Sequence, residues 1–173
     1  MLVARSFRPI SFQWSDISAY LYATLFAIGN LVLPQLCHFI PSGGPMFLPI
    51  YFFTLIAAYK FGLKVGLVTA VFSPLLNSVL FGMPPIAVLP VILVKSVLLS
   101  VLAAYVGART QKLSILYLLY VVLGYQLIGS TIEWAITQSF SAATSDLTIG
   151  IPGMLLQVFG GWLLLKKLAL YEH

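Results

Sequence analysis

Ala87-Val88-Leu89-Pro90-Val91-Ile92-Leu93-Val94-Lys95-Ser96-Val97-Leu98-Leu99-Ser100-Val101-Leu102-Ala103-Ala104-Tyr105-Val106-Gly107 is an almost unbroken apolar run with one charge in its middle. About 20 such residues suffice for a helix to cross the ~30 Å hydrocarbon core of a bilayer. Working outward, comparable runs occupy roughly 17–40, 45–60, 62–80, 113–139 and 147–165. The whole chain is 61% hydrophobic and 8% charged, too few charges to cover a soluble domain of 173 residues. The pattern predicts an all-α fold: a single integral membrane bundle of six transmembrane helices over 1–173, with 1–15 as a short cytoplasmic lead. The run at 45–60 is short for a span, so it starts in the outer interface or sits inside the bundle. The first run is long and no small-residue cleavage site follows it, so it is expected to stay as a span rather than be removed as a signal.

Charge placement orients the bundle. Arg5 and Arg8 precede the first run, and Lys60 and Lys64 bracket the turn between the second and third. Arg109 and Lys112 bracket the turn between the fourth and fifth, and Lys166 and Lys167 close the sixth. The other three connections hold no Lys or Arg, only His38 and Asp146. Lys and Arg accumulate on the cytoplasmic side, so both termini are expected to be cytoplasmic. The net charge of +5 is scattered in pairs at helix ends, where lipid headgroups explain it without nucleic acid.

The connections have distinct chemistry. Asp16 is a candidate cap for the first helix, which is expected to reach about Leu33 before Pro34. The stretch from Pro34 to Pro45, with Pro41, Gly43 and Gly44 inside it, cannot continue a regular helix and is expected to bend back over the bundle mouth. Phe81-Gly82-Met83-Pro84-Pro85 reads as a rigid outer turn. The small residues Ser139 to Asp146 read as a loosely packed outer loop able to move as a lid.

Lys95 is the exceptional cation, and Glu133 is the acid placed inside a span. Each lies about 10–12 Å below the outer surface at 1.5 Å per helical residue, so the two can meet at one depth. An intramembrane charge costs several kcal/mol unless paired, hydrated or snorkelling. They form either a structural ion pair, with Lys95 also able to reach the outer headgroups, or contacts to a polar ligand. Gln126, Ser130, Glu133 and Thr137 are spaced four, three and four apart and share one helical face. That stripe belongs in the bundle interior, for ligand contact or for interhelical hydrogen bonds. Trp134 is placed to stack on a planar ligand or to anchor the interface. Asn77 and Gln157 are further candidates for a hydrogen bond to a central solute, or for joining helices.

Other chemistries find little support. His38 has only His173 for company, so no metal site is expected. Cys37 is alone, so no disulfide forms within the chain. The chain lacks a Gly-rich phosphate loop, no nucleophile–base arrangement stands out, and no cofactor is expected. An enzyme is the weaker reading. A self-sufficient secondary transporter or channel using the Lys95–Glu133 pair is the main alternative to solute capture. Finally, Ala19, Ala23 and Ala27 make a flat ridge on the first helix that permits close helix approach, within the chain or to a partner.

The sequence resembles the substrate-binding S component of energy-coupling factor (ECF) vitamin transporters. The resemblance covers nearly the whole chain. It rests on the six spans with both ends inside, and on the Ala19-Ala23-Ala27 spacing. It rests also on Gly44-Pro45-Met46-Phe47-Leu48-Pro49, and on Ser73-Pro74-Leu75-Leu76-Asn77-Ser78 leading to Gly82-Met83-Pro84-Pro85. It implies a multi-pass protein of a prokaryotic cell membrane that captures a vitamin or related micronutrient from outside. It implies ATP-driven import with a transmembrane coupling protein and two cytoplasmic ATPase subunits, and gives the alanine ridge the role of docking surface. A ligand would sit in the outer half beneath the first, third and fifth loops, where Lys95, Glu133, Asn77 and Gln157 are in suitable places. Related sequences with the Gly-Met-Pro turn carry an acidic residue where this chain has Lys95, so no substrate identity follows. A lysine there favours an anionic ligand unless Glu133 already neutralises it.

Overall fold

The structure, a computed structural model, describes residues 5–7 and 9–170. Residues 1–4 of the expected lead, Arg8 and His173 lie outside them. Helices α1 (Ile17–Cys37), α2 (Gly43–Phe47), α3 (Phe52–Phe81), α4 (Leu89–Thr110), α5 (Ile115–Thr137), α6 (Phe140–Thr148), α7 (Ile151–Leu155) and α8 (Gly161–Leu170) follow in order. A 3-10 turn, Pro49–Tyr51, leads into α3, and a π turn, Leu156–Gly160, joins α7 to α8. The strands β1 (Arg5–Ser6) and β2 (Lys112–Leu113) form a short antiparallel ribbon, so the fold is all-α apart from that ribbon. Five helical stretches are long and apolar enough to cross a membrane: Ile17–Cys37, Gly43–Phe81, Leu89–Thr110, Ile115–Thr137 and Ile151–Leu170.

The stretch ending at Phe81 is not a straight rod. Gly62 inside α3 has φ 81° and ψ −179°, a backbone region open essentially to glycine alone. On a straight helix Ala58 and Gly66 would stand about 12 Å apart. Instead a Cβ added at Gly66 would lie 2.5 Å from the Ala58 Cβ, so the arms 52–61 and 63–81 fold back on each other. The first arm is the centre of the molecule. Thr54, Leu55, Ile56, Ala57, Ala58, Tyr59, Lys60 and Phe61 are all buried, on every side of the helix. A helix apolar all round is one surrounded by other elements, and a short segment suffices there.

Polar side chains stitch this core together. Asn30 of α1 donates Nδ2 to Thr54 Oγ1 at 3.0 Å and to Ser73 Oγ at 3.1 Å, and its Oδ1 accepts the Phe53 amide at 3.1 Å. One side chain thus ties α1 to both arms of α3. Pro34 does not end α1, which runs on to Cys37. A proline there removes the N–H that would bond the Asn30 carbonyl. Asn77 supplies the missing donor, its Nδ2 lying 2.8 Å from that oxygen and 3.0 Å from the Ser73 carbonyl.

The two ends of the bundle differ. At one end the chain doubles back at Gly62, and the lead lies across it: Phe7 N–H donates to Gln111 O at 2.9 Å and Ile10 N–H to Lys60 O at 2.7 Å. Tyr59 OH donates to Lys112 O at 2.7 Å, joining α3 to β2. Lys60 lies beneath the lead with its Nζ 4.7 Å from the centre of the Phe7 ring. Lys60, Lys64, Arg109, Lys112 and the Lys166–Lys167 end of α8 all belong to this end. At the other end α2 and the 3-10 turn lie across the mouth, so the stretch 34–45, expected to be non-helical, is instead partly helical: 34–37 belong to α1 and 43–45 to α2. A Cβ at Gly153 would fall 2.4 Å from the Phe47 carbonyl, so only glycine admits this close approach of α2 to α7. The stretch Ser139 to Asp146, expected as a loop, instead caps and enters helix α6. Ser139 caps it, its Oγ accepting the Ala142 amide at 3.2 Å. Asp16 takes the cap position of α1 but accepts the Gln13 amide rather than a helical one.

Candidate functional site

A cavity of about 350 Å³ opens at the mouth, the end away from Gly62. Its walls come from the three connections that lack Lys and Arg. His38, Gly44 and Pro45 follow α1, Met83, Pro84 and Pro85 join α3 to α4, and Ser145 and Asp146 lie on α6. Below them Tyr51, Asn77, Val91, Ile92, Lys95 and Glu133 line its sides and floor. Leu48, on the same wall, holds φ 46°. A left-handed leucine is strained, and such strain gathers at clamps and lids over sites.

The charged wall is a triad. Lys95 Nζ lies 2.6 Å from Glu133 Oε2 and 2.7 Å from Asp146 Oδ2. The lysine side chain is 2% exposed, the carboxylates 14% and 19%, so the cation lies behind and the acids in front. Its aliphatic stem runs over Gly129 of α5, where an added Cβ would meet Lys95 Cγ at 2.7 Å. Glycine at that place is what allows a long side chain to pass between α4 and α5. The Lys95–Asp146 pair also fastens α6 to the bundle, beside the buried Ala143.

Glu133 and Asn77 therefore join Lys95 at the cavity, and the matching depth read from the sequence corresponds to a direct ion pair. The remaining candidates fall elsewhere. Gln126 is fully buried with neither amide atom hydrogen-bonded, and Ser130 Oγ is likewise without a partner among the described residues. Neither borders the cavity. Gln157 sits in the π turn and accepts Tyr125 OH at 3.0 Å. The Tyr125 ring stands 5.5 Å from that of Tyr51, so Gln157 acts one layer beneath the cavity wall. Trp134 is exposed and meets Phe140 edge-on at 6.1 Å, away from the cavity. Thr137 is exposed at the last turn of α5, its hydroxyl bonded to the Glu133 carbonyl at 2.8 Å.

The alanine ridge is also spoken for. Ala19, Ala23 and Ala27 are 5%, 1% and 7% exposed, and Thr69 Oγ1 of α3 reaches the Ala23 carbonyl at 3.4 Å. Within the chain these alanines let α1 lie close on α3. The exposed face of α1 is instead Ile17, Leu21, Leu25, Ile28 and Val32.

Asp146 and Asn30 are the residues that reading the sequence passed over. Asp146 is the sole acid of the outer connections, which was its signal. Asn30 stands four places before a proline inside an apolar helix, where an unsatisfied carbonyl calls for a polar neighbour. Among the described residues no group of three His, Cys, Asp or Glu side chains is placed to hold a metal. No family model, curated protein or solved structure matches this chain.

Proposed function

We propose that this protein is a six-span membrane protein, with both ends cytoplasmic, that captures a small solute in its outer cavity for ATP-driven import. The observation that carries the reading is the cavity itself: about 350 Å³, opposite the Lys- and Arg-rich end, and walled by the triad. That volume lies at the small end of ligand pockets, about 300–1,000 Å³. Intramembrane charges facing a hollow are functional by default. The fold-back at Gly62 supports counting Gly43–Phe81 as two crossings, hence six in all. The Lys and Arg distribution supports an outward-facing cavity.

The role follows that of an ECF S component in a prokaryotic cell membrane. The cargo is a vitamin or related micronutrient, delivered through a transmembrane coupling protein and two ATPase subunits. With the alanines buried, the apolar outer face of α1 is the surface offered to that coupling protein. The interior triad also favours a second reading, a secondary transporter that moves a proton or ion through Lys95, Glu133 and Asp146.

Purification in detergent followed by mass spectrometry of extracted small molecules tests the first reading, together with uptake by liposomes. A retained solute, and no flux without coupling protein and ATPases, is the expected result. Flux by the protein alone would favour the secondary transporter. Absence of any retained or added solute would remove both.

A further inference from the structure

We propose that the solute held in this cavity is a cation: a compact apolar or aromatic body bearing an ammonium or protonated ring nitrogen. The inference rests on the cavity's being a solute site and adds the charge of what enters it.

The lysine suggests the opposite until Asp146 is counted. Lys95 contributes +1 and Glu133 and Asp146 each −1, and no other Lys or Arg among the described residues lines the cavity, so with His38 neutral the wall carries −1. Position strengthens the sign. Lys95 is nearly sealed behind the two carboxylates, so an arriving group meets the acids first. Two of its three N–H bonds are already directed at those acids.

Hydrogen-bond capacity points the same way. Glu133 Oε1 and Asp146 Oδ1 carry no bond among the described residues, each carboxylate meeting Lys95 through its other oxygen. Asn77 is an independent sign. It is 1% exposed, lines the same cavity, and its Oδ1 has no partner among the described residues. Both Asn77 Nδ2 contacts are to carbonyl oxygens, which fixes the amide so that the acceptor is the atom left over. The wall therefore offers two unbonded carboxylate oxygens, with the Asn77 acceptor buried just behind its surface. A cationic donor satisfies them and cancels the net charge, which a low-dielectric interior does not tolerate unbalanced. Leu48, Ile50, Pro84, Val91 and Ile92 supply the apolar remainder of the wall for the solute's body.

Because Asp146 rides on α6, the same charge pairing draws α6 onto the loaded cavity. The other way to balance the wall is a proton shared by the two carboxylates, and it makes a different forecast.

The test uses the full chain in detergent and three probes sharing one body: phenethylammonium, phenethyl alcohol and 3-phenylpropionate, titrated calorimetrically at pH 7. The ammonium probe should bind at least about tenfold more tightly than either other, a clear margin in affinity. Asp146→Asn should reduce that preference to about threefold or less, and Asp146→Glu should restore part of it. The melting temperature of each variant without probe shows that it is folded. Equal binding of ammonium and alcohol would favour the shared proton and overturn the inference. So would tighter binding of the carboxylate, or an anionic solute extracted from the purified protein. In those cases the cavity remains a solute site. If no probe binds and no solute is extracted, the proposed function fails and the inference with it.

Discussion

The Asn77 side chain donates to the Asn30 carbonyl at 2.8 Å, the acceptor that Pro34 leaves without its helical partner. A cavity residue thereby also repairs the helix beside it. Asn77→Ala should cost about 1–3 kcal/mol, the usual penalty for orphaning a buried acceptor. In a Pro34→Ala background residue 34 regains an N–H, so the same change should cost less. Unfolding free energies for the four members of this cycle, measured in detergent, check the coupling. Equal costs in both backgrounds would mean that the bond repairs nothing.

Lys95 is held by two acids, so removing it is worse than removing either one. Lys95→Met leaves Glu133 and Asp146 facing each other without a counter-charge, at a cost of about 3–5 kcal/mol. Lys95→Met with Glu133→Gln should recover part of that loss, because one negative charge is gone. Thermal unfolding of the single and double variants gives the comparison. A double variant less stable than Lys95→Met would contradict the triad.

Gly62 sits at φ 81° and ψ −179°, and a Cβ there would also lie 3.3 Å from the Ile10 carbonyl. Gly62→Ala should destabilise by about 1–3 kcal/mol through backbone strain. Hydrogen exchange should quicken first at Phe7 and Ile10, whose amides bond across this end. Unchanged exchange at those amides would separate the turn from the lead.

Orientation can be read by chemistry at single cysteines. In a Cys37→Ser background, Ser141→Cys on α6 should react with a membrane-impermeant maleimide added outside intact cells. Gln111→Cys, beside β2, should react only after the membrane is opened. The reverse pattern would invert the proposed topology.

The apolar runs and the charges inside them were legible because bilayer-length periodicity and isolated ions are strong signals. Lys95 and Glu133 share a depth that counting residues from two span ends could find. Asp146 was hidden because Ser139, Ser141, Thr144 and Ser145 favour turns and caps over helix interiors, and its partner lies 51 positions away. Trp134 follows Glu133 in sequence but stands about 100° round the helix, which turns it outward. Thr137 shares the face of Glu133, yet lies one turn too high to reach the cavity. For Ala19, Ala23 and Ala27 the spacing announces close contact but not with whom. That answer depends on α3, a neighbour brought in by the tertiary fold.

Residues 54–61 of the arm 52–61 are enclosed by the rest of the chain, so on the proposed membrane reading its length answers to the protein and not to the lipid. Bilayers of unequal thickness act on the peripheral helices through tilt and local deformation. In the proposed membrane setting, Tyr51, just before this arm, keeps its depth against its own neighbours whatever the bilayer thickness.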